Sequence, residues 1–214
     1  METGAEQGTE QRVRNPVDRL MGGLPHPWRV AIDWVVTIVG AVAIVLAIKA
    51  WVVNPYRIPS SSMEPTLHCA EPGLGCVAQF SDRVLANRLI YRFREPERGD
   101  VVVFKIPPRA AIECNTGEGD TFVKRLIALP GETWRMENGV VFVDGKRLIE
   151  PYLAGSVRGS DTLPPARVKQ GEYVMLGDNR GQSCDSRQWG GLPRKYMVGP
   201  VFMTYWPPTR ISFR

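Results

Sequence analysis

Histidine is scarce in this sequence, and several familiar catalytic patterns are missing with it. Only His26 and His68 occur among 214 residues. Neither His-Glu-x-x-His nor Gly-x-Ser-x-Gly is present, and no serine is followed three residues later by lysine, which excludes zincin, α/β-hydrolase and penicillin-binding patterns. The four cysteines form no C-x-x-C pair, so we expect no metal site, and no nucleotide or other cofactor is predicted.

Long runs of like charge are absent as well. The formal net charge is +5, and residues 54–214 account for all of it, with 22 Lys and Arg against 17 Asp and Glu. Because these bases are scattered, without an arginine-rich run or zinc-finger spacing, we do not expect nucleic acid as a partner. A basic domain held beside a bilayer is attracted to anionic headgroups, so membrane lipid is an expected partner.

One long apolar run is present near the N-terminus. Residues 35–48 contain no charge, and tryptophans flank them on both sides. The apolar stretch reaches roughly 20 residues, enough to cross about 30 Å of hydrocarbon as a helix. We therefore predict a disordered polar tail at residues 1–27, a transmembrane anchor at 28–53 and a separate domain at 54–214.

The charges around the apolar run predict its orientation. Four arginines precede the run and only Lys49 and Arg57 follow it closely, so the N-terminus is expected in the cytoplasm and domain 54–214 outside. A cleaved signal peptide is the alternative. The apolar core continues directly into Lys49 without a small-residue cleavage site, which favours an uncleaved anchor.

Beyond the apolar run the pattern predicts short strands separated by turns, with no long amphipathic helix. The strongest signal is Asn138-Gly139 between two apolar stretches, which is typical of a β-hairpin. The domain is therefore expected to be mostly β. The predicted strands are 101–104, 121–129, 133–136, 140–143, 146–148, 173–176 and 198–206, with loops at 69–81, 106–120 and 150–168.

Cysteine pairing stays open at this point. In an extracytoplasmic domain, Cys69 and Cys76 could close a small loop. Connectivity cannot be deduced from sequence, so neither this pairing nor one between Cys114 and Cys184 is decided.

Three consecutive serines stand in the stretch Ile58–Leu67, a few residues after the apolar run. Serine beside proline favours turns, so the stretch taken alone is more typical of a surface turn than of a nucleophile. A serine hydroxyl becomes a useful nucleophile only when a base takes its proton. His26 lies on the predicted opposite side of the membrane, which leaves His68 as the candidate imidazole.

Lys124 is the alternative base. It stands in the otherwise apolar strand 121–129, and alternation places it on the same face as Phe122, Leu126 and Ala128. Burial there would lower the lysine pKa from about 10.4 by the two or three units that a base near neutral pH requires. A strand-edge lysine with its ammonium in water is the competing interpretation.

Four ordered segments, following one apolar span, strongly resemble the bacterial type I signal peptidases, also called leader peptidases. The likeness extends over about residues 30–206, and the four segments together are specific where each alone would be weak. They are Ser60-Ser61-Ser62-Met63 with Pro65-Thr66-Leu67, Gly99-Asp100-Val101-Val102-Val103-Phe104, Lys124-Arg125 leading to Pro130-Gly131-Glu132, and Gly177-Asp178-Asn179-Arg180.

The resemblance implies roles for individual residues. Ser62 matches the nucleophile and Lys124 matches the general base. Ser60 matches the serine whose hydroxyl joins the nucleophile's own amide in the oxyanion hole. Ser183 matches the serine that orients the lysine.

The resemblance also implies bracing ion pairs and a substrate-binding surface. The pairs are Asp178 with Arg125 and Asp185 with Arg187. An extended substrate is expected between segments 58–59 and 122–123, where small apolar pockets would select Ala-x-Ala. The expected walls, for which ordinary core packing is the competing explanation, are Tyr56, Ile58, Pro59, Met63, Leu67, Phe122 and Val123.

Two positions, Ser61 and Gly181, depart from the family pattern. Many members have glycine where Ser61 stands, and acidic or amide residues where Gly181 and Gln182 stand. Ser61 adds a third hydroxyl beside Ser62, and Gly181 affects how the segment turns. Neither departure removes an expected catalytic group.

The sequence thus predicts a single N-terminal transmembrane helix followed by an extracytoplasmic, mostly β catalytic domain of the signal-peptidase type. We expect a monomer in the bacterial inner membrane that removes signal peptides from exported preproteins with a Ser/Lys dyad. Two alternatives remain. One is an anchored β-domain that only binds a partner. The other is a self-cleaving Ser/Lys repressor, although those proteins carry a DNA-binding domain where this chain has its apolar span.

Overall fold

The structure is a computed structural model that describes residues 25–153 and 158–214. The tail predicted at residues 1–27 therefore falls almost wholly outside the described residues. The chain divides into two compact units, one ending at Ala47 and the other formed by Ile48–Arg214.

The long helix α1, His26–Trp51, lies mostly in the first unit, and its last four residues belong to the second. Its segment Pro27–Ala47 is long and apolar enough, by length and composition, to cross a membrane. At 1.5 Å per residue those 21 residues span about 30 Å, which is the thickness of a typical hydrocarbon core. The structure confirms an apolar helix where the sequence predicts the anchor.

The second unit is built from antiparallel strands, which confirms the mostly β prediction. The strands are β1 Val53–Arg57, β2 Arg83–Asn87, β3 Val101–Lys105, β4 Thr121–Ala128, β5 Thr133–Glu137, β6 Val140–Val143, β7 Lys146–Arg147, β8 Leu163–Arg167, β9 Glu172–Leu176, β10 Leu192–Pro193, β11 Met197–Trp206 and β12 Ser212–Phe213. The larger sheet has the order β1-β2-β11-β3-β4-β9-β10, with β12 paired to β11, and the smaller has the order β7-β6-β5-β8. Two short helices are α2, Pro108–Glu113, and α3, Ser186–Trp189.

A tight turn joins β5 to β6 at the position that the sequence predicts. Asn138 has a φ of 47° and Gly139 a φ of 75°, the left-handed conformations that a type I′ hairpin turn requires. The strands then pair in register from Glu137 with Val140 onwards. The predicted hairpin is confirmed.

Three edge strands that the sequence did not predict contain proline, namely β1, β8 and the two-residue β10. β1 contains Pro55 and β8 contains Pro164 and Pro165, and each strand lies at the edge of its sheet. Proline cannot donate to a ladder, but an edge strand has one side that needs no donor. The predicted loop 150–168 is therefore wrong where it contains β8, and the predicted loop 106–120 is wrong where it contains α2.

Strand β4 carries side chains into more than one part of the core. Leu126 packs in a cluster with Phe104 and Trp189, whereas Ile127 and Ala128 pack in the cluster of the smaller sheet. The predicted face shared by Lys124, Phe122 and Leu126 therefore does not include Ala128. The reason is a register shift between Leu126 and Ala128 where β4 pairs with β9, which interrupts the alternation.

Both cysteine pairings that the sequence left open are formed. Cys69 and Cys76 close a short loop and are themselves buried in a core cluster of the larger sheet, and Cys114 is joined to Cys184 across 70 residues of sequence. The second bond connects the end of α2 to the segment that precedes α3. It therefore ties together two loops that are far apart in sequence.

We predict that Phe104→Ala lowers the free energy of unfolding by about 3–5 kcal/mol, because it leaves a cavity in the core. The Phe104 ring is completely buried, with the rings of Phe122 and Trp189 at centroid distances of 6.2 and 6.1 Å. Phe93 is 82 % exposed, so the same change at that position should cost less than about 1 kcal/mol. Denaturant unfolding of the full chain in detergent measures both, and equal losses would contradict the prediction.

Candidate active site

The three serines lie on a buried turn that follows β1. A short 3-10 turn spans Ser61–Met63, and Ser62 is only 7 % exposed. The Oγ of Ser62 lies 3.3 Å from the Oγ of Ser60, whose side chain is exposed. The turn therefore presents two adjacent hydroxyls.

Ser61 directs its hydroxyl to other partners. Its Oγ lies 2.6 Å from Oε1 of Gln182 and 2.9 Å from the carbonyl oxygen of Leu74. Ser60 and Ser62, but not Ser61, line the adjacent cavity. The structure thus separates the third hydroxyl from the other two.

The backbone of the serine turn is held by the segment 177–179. The amide of Asn179 donates to the carbonyl oxygen of Ser62 at 3.0 Å. A Cβ at residue 177 would clash with that same carbonyl oxygen and with Oγ of Ser183. Glycine at 177 is what allows the two segments to approach this closely.

Lys124 is buried on β4, which contacts the serine turn. Lys124 is only 3 % exposed, and its backbone pairs with that of Val102 in β3. The Nζ lies 5.3 Å from the ring centroid of Phe122. The competing interpretation, a strand-edge lysine in water, is therefore wrong for this structure.

Burial lowers the pKa of Lys124 to about 8. Desolvation of the ammonium is the largest cause, since a low-dielectric surrounding disfavours the charged form. Asp185 opposes this shift, Arg187 adds to it, and Asp178 opposes it. A lysine with this pKa is partly neutral near pH 8 and can accept a proton there.

Ser62 and Lys124 line the same cavity, which has a volume of about 510 Å³. The end of β1 and the first half of β4 form its walls. The lining residues that the sequence analysis named as walls are Tyr56, Ile58, Pro59, Met63, Phe122 and Val123. Cys114 and Cys184 also line the cavity, so a disulfide forms part of the wall, which the sequence analysis did not anticipate.

Leu67 is an exception among the predicted wall residues. It is completely buried in a core cluster with Met63 and Val84 and does not line the cavity. The amide of Leu67 donates to the carbonyl of Met63 at 2.9 Å, and this turn carries the Leu67 side chain into the core. Leu67 therefore forms no wall of this cavity, contrary to the expectation from the sequence.

The first expected ion pair joins Arg125 to Asp178. The Nε and NH2 groups of Arg125 donate to the two carboxylate oxygens at 2.8 and 2.6 Å, a bidentate arrangement. The guanidinium also lies 3.8 Å from the ring centroid of Tyr152. Arg125 follows Lys124 directly and points to the opposite face of β4, so this pair anchors the strand on which the lysine lies.

The second expected pair joins Arg187 to Asp185. Arg187 donates to the carboxylate at 2.8 and 2.9 Å and to the carbonyl oxygen of Ser183 at 3.0 Å. Asp185 caps helix α3 and accepts from the amide of Gly177 at 3.0 Å. The pair therefore connects α3 to the glycine that contacts the serine turn.

Ser183 is buried, and its Oγ forms no hydrogen bond with any described residue. The hydrogen bond to Lys124 that the resemblance implies is therefore not formed in this structure. Ser183 still lies at the site, because its Oγ occupies the space next to Gly177.

The sequence analysis missed an ion pair between Glu150 and Arg180. Both side chains are completely buried and in contact, and Nε of Arg180 donates to the carbonyl oxygen of Gly177 at 2.9 Å. The hydroxyl of Tyr152 donates to Glu150 at 2.9 Å. Arg180 stands in the Gly-Asp-Asn-Arg segment, which could have indicated it, but no pattern around Glu150 distinguishes that residue.

His68 does not line the cavity. Its Nδ1 is paired with Glu64, and its amide donates to Oδ2 of Asp82 at 2.9 Å. Glu64 also accepts from the amide of Cys69 at 3.1 Å. His68 thus belongs to the packing of the loop after the serine turn, and the geometry gives no support to a Ser/His pair.

Comparison with protein-family models agrees with this arrangement. The model described as "Signal peptidase, peptidase S26" matches residues 31–206. The chain belongs to this family. It is therefore a serine peptidase of the signal peptidase I type, as the four ordered segments implied.

Individual relatives are similar over most of the chain. "Probable signal peptidase I-2" of Synechocystis sp. is 39% identical over 176 residues, which cover 82% of this chain and 73% of that protein. "Probable signal peptidase I-1" of the same organism is 35% identical over 187 residues, 87% of this chain and 88% of that protein. The crystal structure of a signal peptidase I from Enterococcus faecalis V583 aligns with a TM-score of 0.41 and 30% identity, over 50% of this chain and 97% of that one.

We predict that Gly177→Ala lowers the free energy of unfolding by about 1–3 kcal/mol, because the added Cβ overpacks the contact with Ser62 and Ser183. Gly181→Ala is the matched control. Its Cβ would meet no atom closer than 4.0 Å and its φ is not left-handed, so no loss is expected. Denaturant unfolding of both variants tests this, and an unaffected Gly177→Ala would show that the close approach is not needed.

Proposed function

We propose that the chain is a membrane-anchored endopeptidase that removes N-terminal signal peptides from exported preproteins, with Ser62 as nucleophile and Lys124 as general base. The observation that carries this proposal is that Ser62 lines one cavity with a buried lysine whose pKa is lowered to about 8. Family membership supports the cleavage of signal peptides as the reaction, and the shared cavity supports Ser62 and Lys124 as the residues that perform it.

Acylation begins with proton transfer to neutral Lys124. The Oγ of Ser62 attacks the scissile carbonyl carbon while Nζ takes its proton, and a tetrahedral intermediate forms. The ammonium then returns the proton to the leaving amine as the peptide bond breaks. Water, activated in its turn by Lys124, attacks the acyl-enzyme and releases Ser62.

The oxyanion of the intermediate is held by the amide of Ser62 and the hydroxyl of Ser60. This assignment is supported by the 3.3 Å separation of the two hydroxyl oxygens, which puts Ser60 next to the position of attack. A pre-aimed donor pair stabilises charge as it develops, and removal of one such donor typically costs about 3–4 kcal/mol.

Substrate is proposed to bind as an added strand against β4. Strand β3 pairs with β4 over Thr121–Arg125, whereas β9 pairs only from Arg125 onwards. Among the described residues, no strand pairs with the first half of β4 on the side opposite β3, and we propose that the extended peptide binds along this edge. Segment 58–59 would flank the peptide on its other side, since Ile58 and Pro59 line the same cavity.

The apolar walls favour small side chains before the cut. Met63, Phe122 and Val123 line the cavity together with Ser62, and these apolar side chains support the proposal that small apolar residues of an Ala-x-Ala site bind there. Ser183 is proposed to orient Lys124 once substrate excludes water from the cavity. Its buried Oγ has capacity for such a bond, because no described residue uses it.

The anchor fits this substrate. A signal peptide itself enters the bilayer as an apolar segment, so an enzyme held in the same membrane meets the scissile bond at the surface. We propose a monomer in the bacterial inner membrane with a cytoplasmic N-terminus. The net positive charge of residues 54–214 would favour contact of this domain with anionic lipid.

Cleavage of an Ala-x-Ala preprotein in detergent tests the dyad. Ser62→Ala and Lys124→Met should each lower the rate at least about 10³-fold, because either change removes the activated nucleophile. His68→Ala and the exposed-lysine control Lys146→Met should retain most activity. An active Lys124→Met with an inactive His68→Ala would require a Ser/His mechanism, and an inert wild type would favour a domain that only binds a partner.

We also predict that kcat/KM rises with pH, with an apparent pKa of about 8, and levels off at higher pH. The direction follows because Lys124 must lose its proton to act as base, and burial lowers its pKa to that value. The neutral fraction, and with it the rate, should increase about tenfold between pH 7 and pH 9. A profile already flat from pH 6 would show that some other group is the base.

A further inference from the structure

We propose that Ser61 and Gln182 form a positioning pair that fixes the direction of the Ser62 amide. The proposal rests on the function proposed above, in which that amide is an oxyanion donor. It assigns a role to two residues that are outside the proposed catalytic groups. They are 121 residues apart in sequence and in direct contact through Oγ and Oε1 at 2.6 Å.

Ser61 is buried, whereas its partner Gln182 is exposed. Ser61 is 4 % exposed, and its Oγ also lies 2.9 Å from the carbonyl oxygen of Leu74. A hydroxyl has one proton, so it can donate to only one of two acceptors. The contact to Oε1 of Gln182 is the shorter at 2.6 Å, so Ser61 donates there, and the carbonyl oxygen of Leu74 is the second acceptor beside the hydroxyl.

Gln182 is itself held in place by the loop that the first disulfide closes. Its side-chain amide packs against Gly75, where any Cβ would clash with the amide atoms. Gly75 lies inside the loop between Cys69 and Cys76 and has a φ of 73°, a conformation that favours glycine. The serine turn, the disulfide loop and the segment before Ser183 therefore meet at Ser61.

The contact between Ser61 and Gln182 lies next to the peptide unit that carries the Ser62 N–H. The N–H of Ser62 belongs to the peptide unit between residues 61 and 62, which can rotate only about the bonds on either side of it. The carbonyl oxygen of Ser61 belongs to the same peptide unit and accepts from the amide of Glu64 at 3.0 Å, and the carbonyl of Ser62 accepts from the amide of Asn179 at 3.0 Å. The Ser61 side chain, in contact with Gln182 and Leu74, adds a further restraint on the residue that precedes Ser62. The N–H is thus held in one direction before substrate arrives.

A pre-oriented Ser62 N–H would stabilise the transition state more than the bound substrate. The oxyanion exists only after attack, so loss of alignment should lower kcat while KM changes little. Gln182 lines the same cavity as Lys124, but no hydrogen bond among the described residues joins Lys124 to the pair, and neither member carries a charge. The apparent pKa of the pH profile should therefore remain that of wild type. These two properties distinguish a positioning role from substrate binding and from general weakening of the fold.

Ser61 is a position at which the sequence departs from the pattern of the family it resembles, and its hydroxyl reaches both Gln182 and Leu74. A glycine at residue 61 would supply no hydroxyl for either contact.

The test is a double-mutant cycle on cleavage of an Ala-x-Ala preprotein in detergent, with Ser61→Ala, Gln182→Ala and the double variant. We expect each single change to lower kcat about tenfold at unchanged KM, and the double variant to be no worse than either, because the two residues act as one unit. Gln79→Ala is the control: it is an exposed glutamine near the same loop and should behave as wild type.

Several outcomes would overturn the proposal. These are a normal kcat in Gln182→Ala, additive losses in the double variant, a raised KM at unchanged kcat, and a shifted pH profile. Gln182 is exposed, so that variant is expected to fold, and its thermal midpoint checks this. An inert wild-type protein would instead defeat the proposed function itself, so the two failures are distinguishable.

Discussion

The site depends on Lys124, a buried lysine that forms no ion pair with a carboxylate among the described residues. Desolvation lowers the pKa of Lys124 to about 8. Asp178 and Asp185 are near enough to oppose that shift, but each is already bound in a close ion pair by an arginine. A free carboxylate in their place would favour the ammonium and remove the base. The two ion pairs therefore have an electrostatic consequence as well as a mechanical one.

Gly177 is the backbone connection between these charges and the serine turn. Its amide donates to Asp185, its carbonyl accepts from Arg180, and any Cβ at this position would clash with Ser62 and Ser183. Side chains would separate the segments at this point, because interiors tolerate little added volume. One residue without a side chain thus allows the nucleophile segment and the bracing segment to pack directly.

The disulfides extend this rigidity to the borders of the cavity. Cys114 and Cys184 form part of its wall, and the loop of Cys69 and Cys76 supports Gln182. Preorganised groups act on a transition state without a reorganisation cost at the moment of reaction. A site made from four distant segments needs such fixed connections, since no single helix or strand carries the whole set.

The sequence by itself determined the apolar helix, the mostly β domain, the hairpin at residues 138–139 and the apolar strand that carries Lys124, because periodicity and turn residues act locally. Local patterns failed at β1 and β8, where proline is tolerated because the strands are at sheet edges. They also failed at Ala128, where a register shift interrupts alternation.

Only the tertiary structure decided which side chains meet. Leu67 turns into the core, Ser183 makes no hydrogen bond with the described residues, and Glu150 pairs with Arg180 from a position that has no distinguishing pattern. The burial of Lys124 and the contact between Ser61 and Gln182 are of the same kind. Desolvation and contacts across more than a hundred residues depend on how strands pack, and no local pattern encodes them.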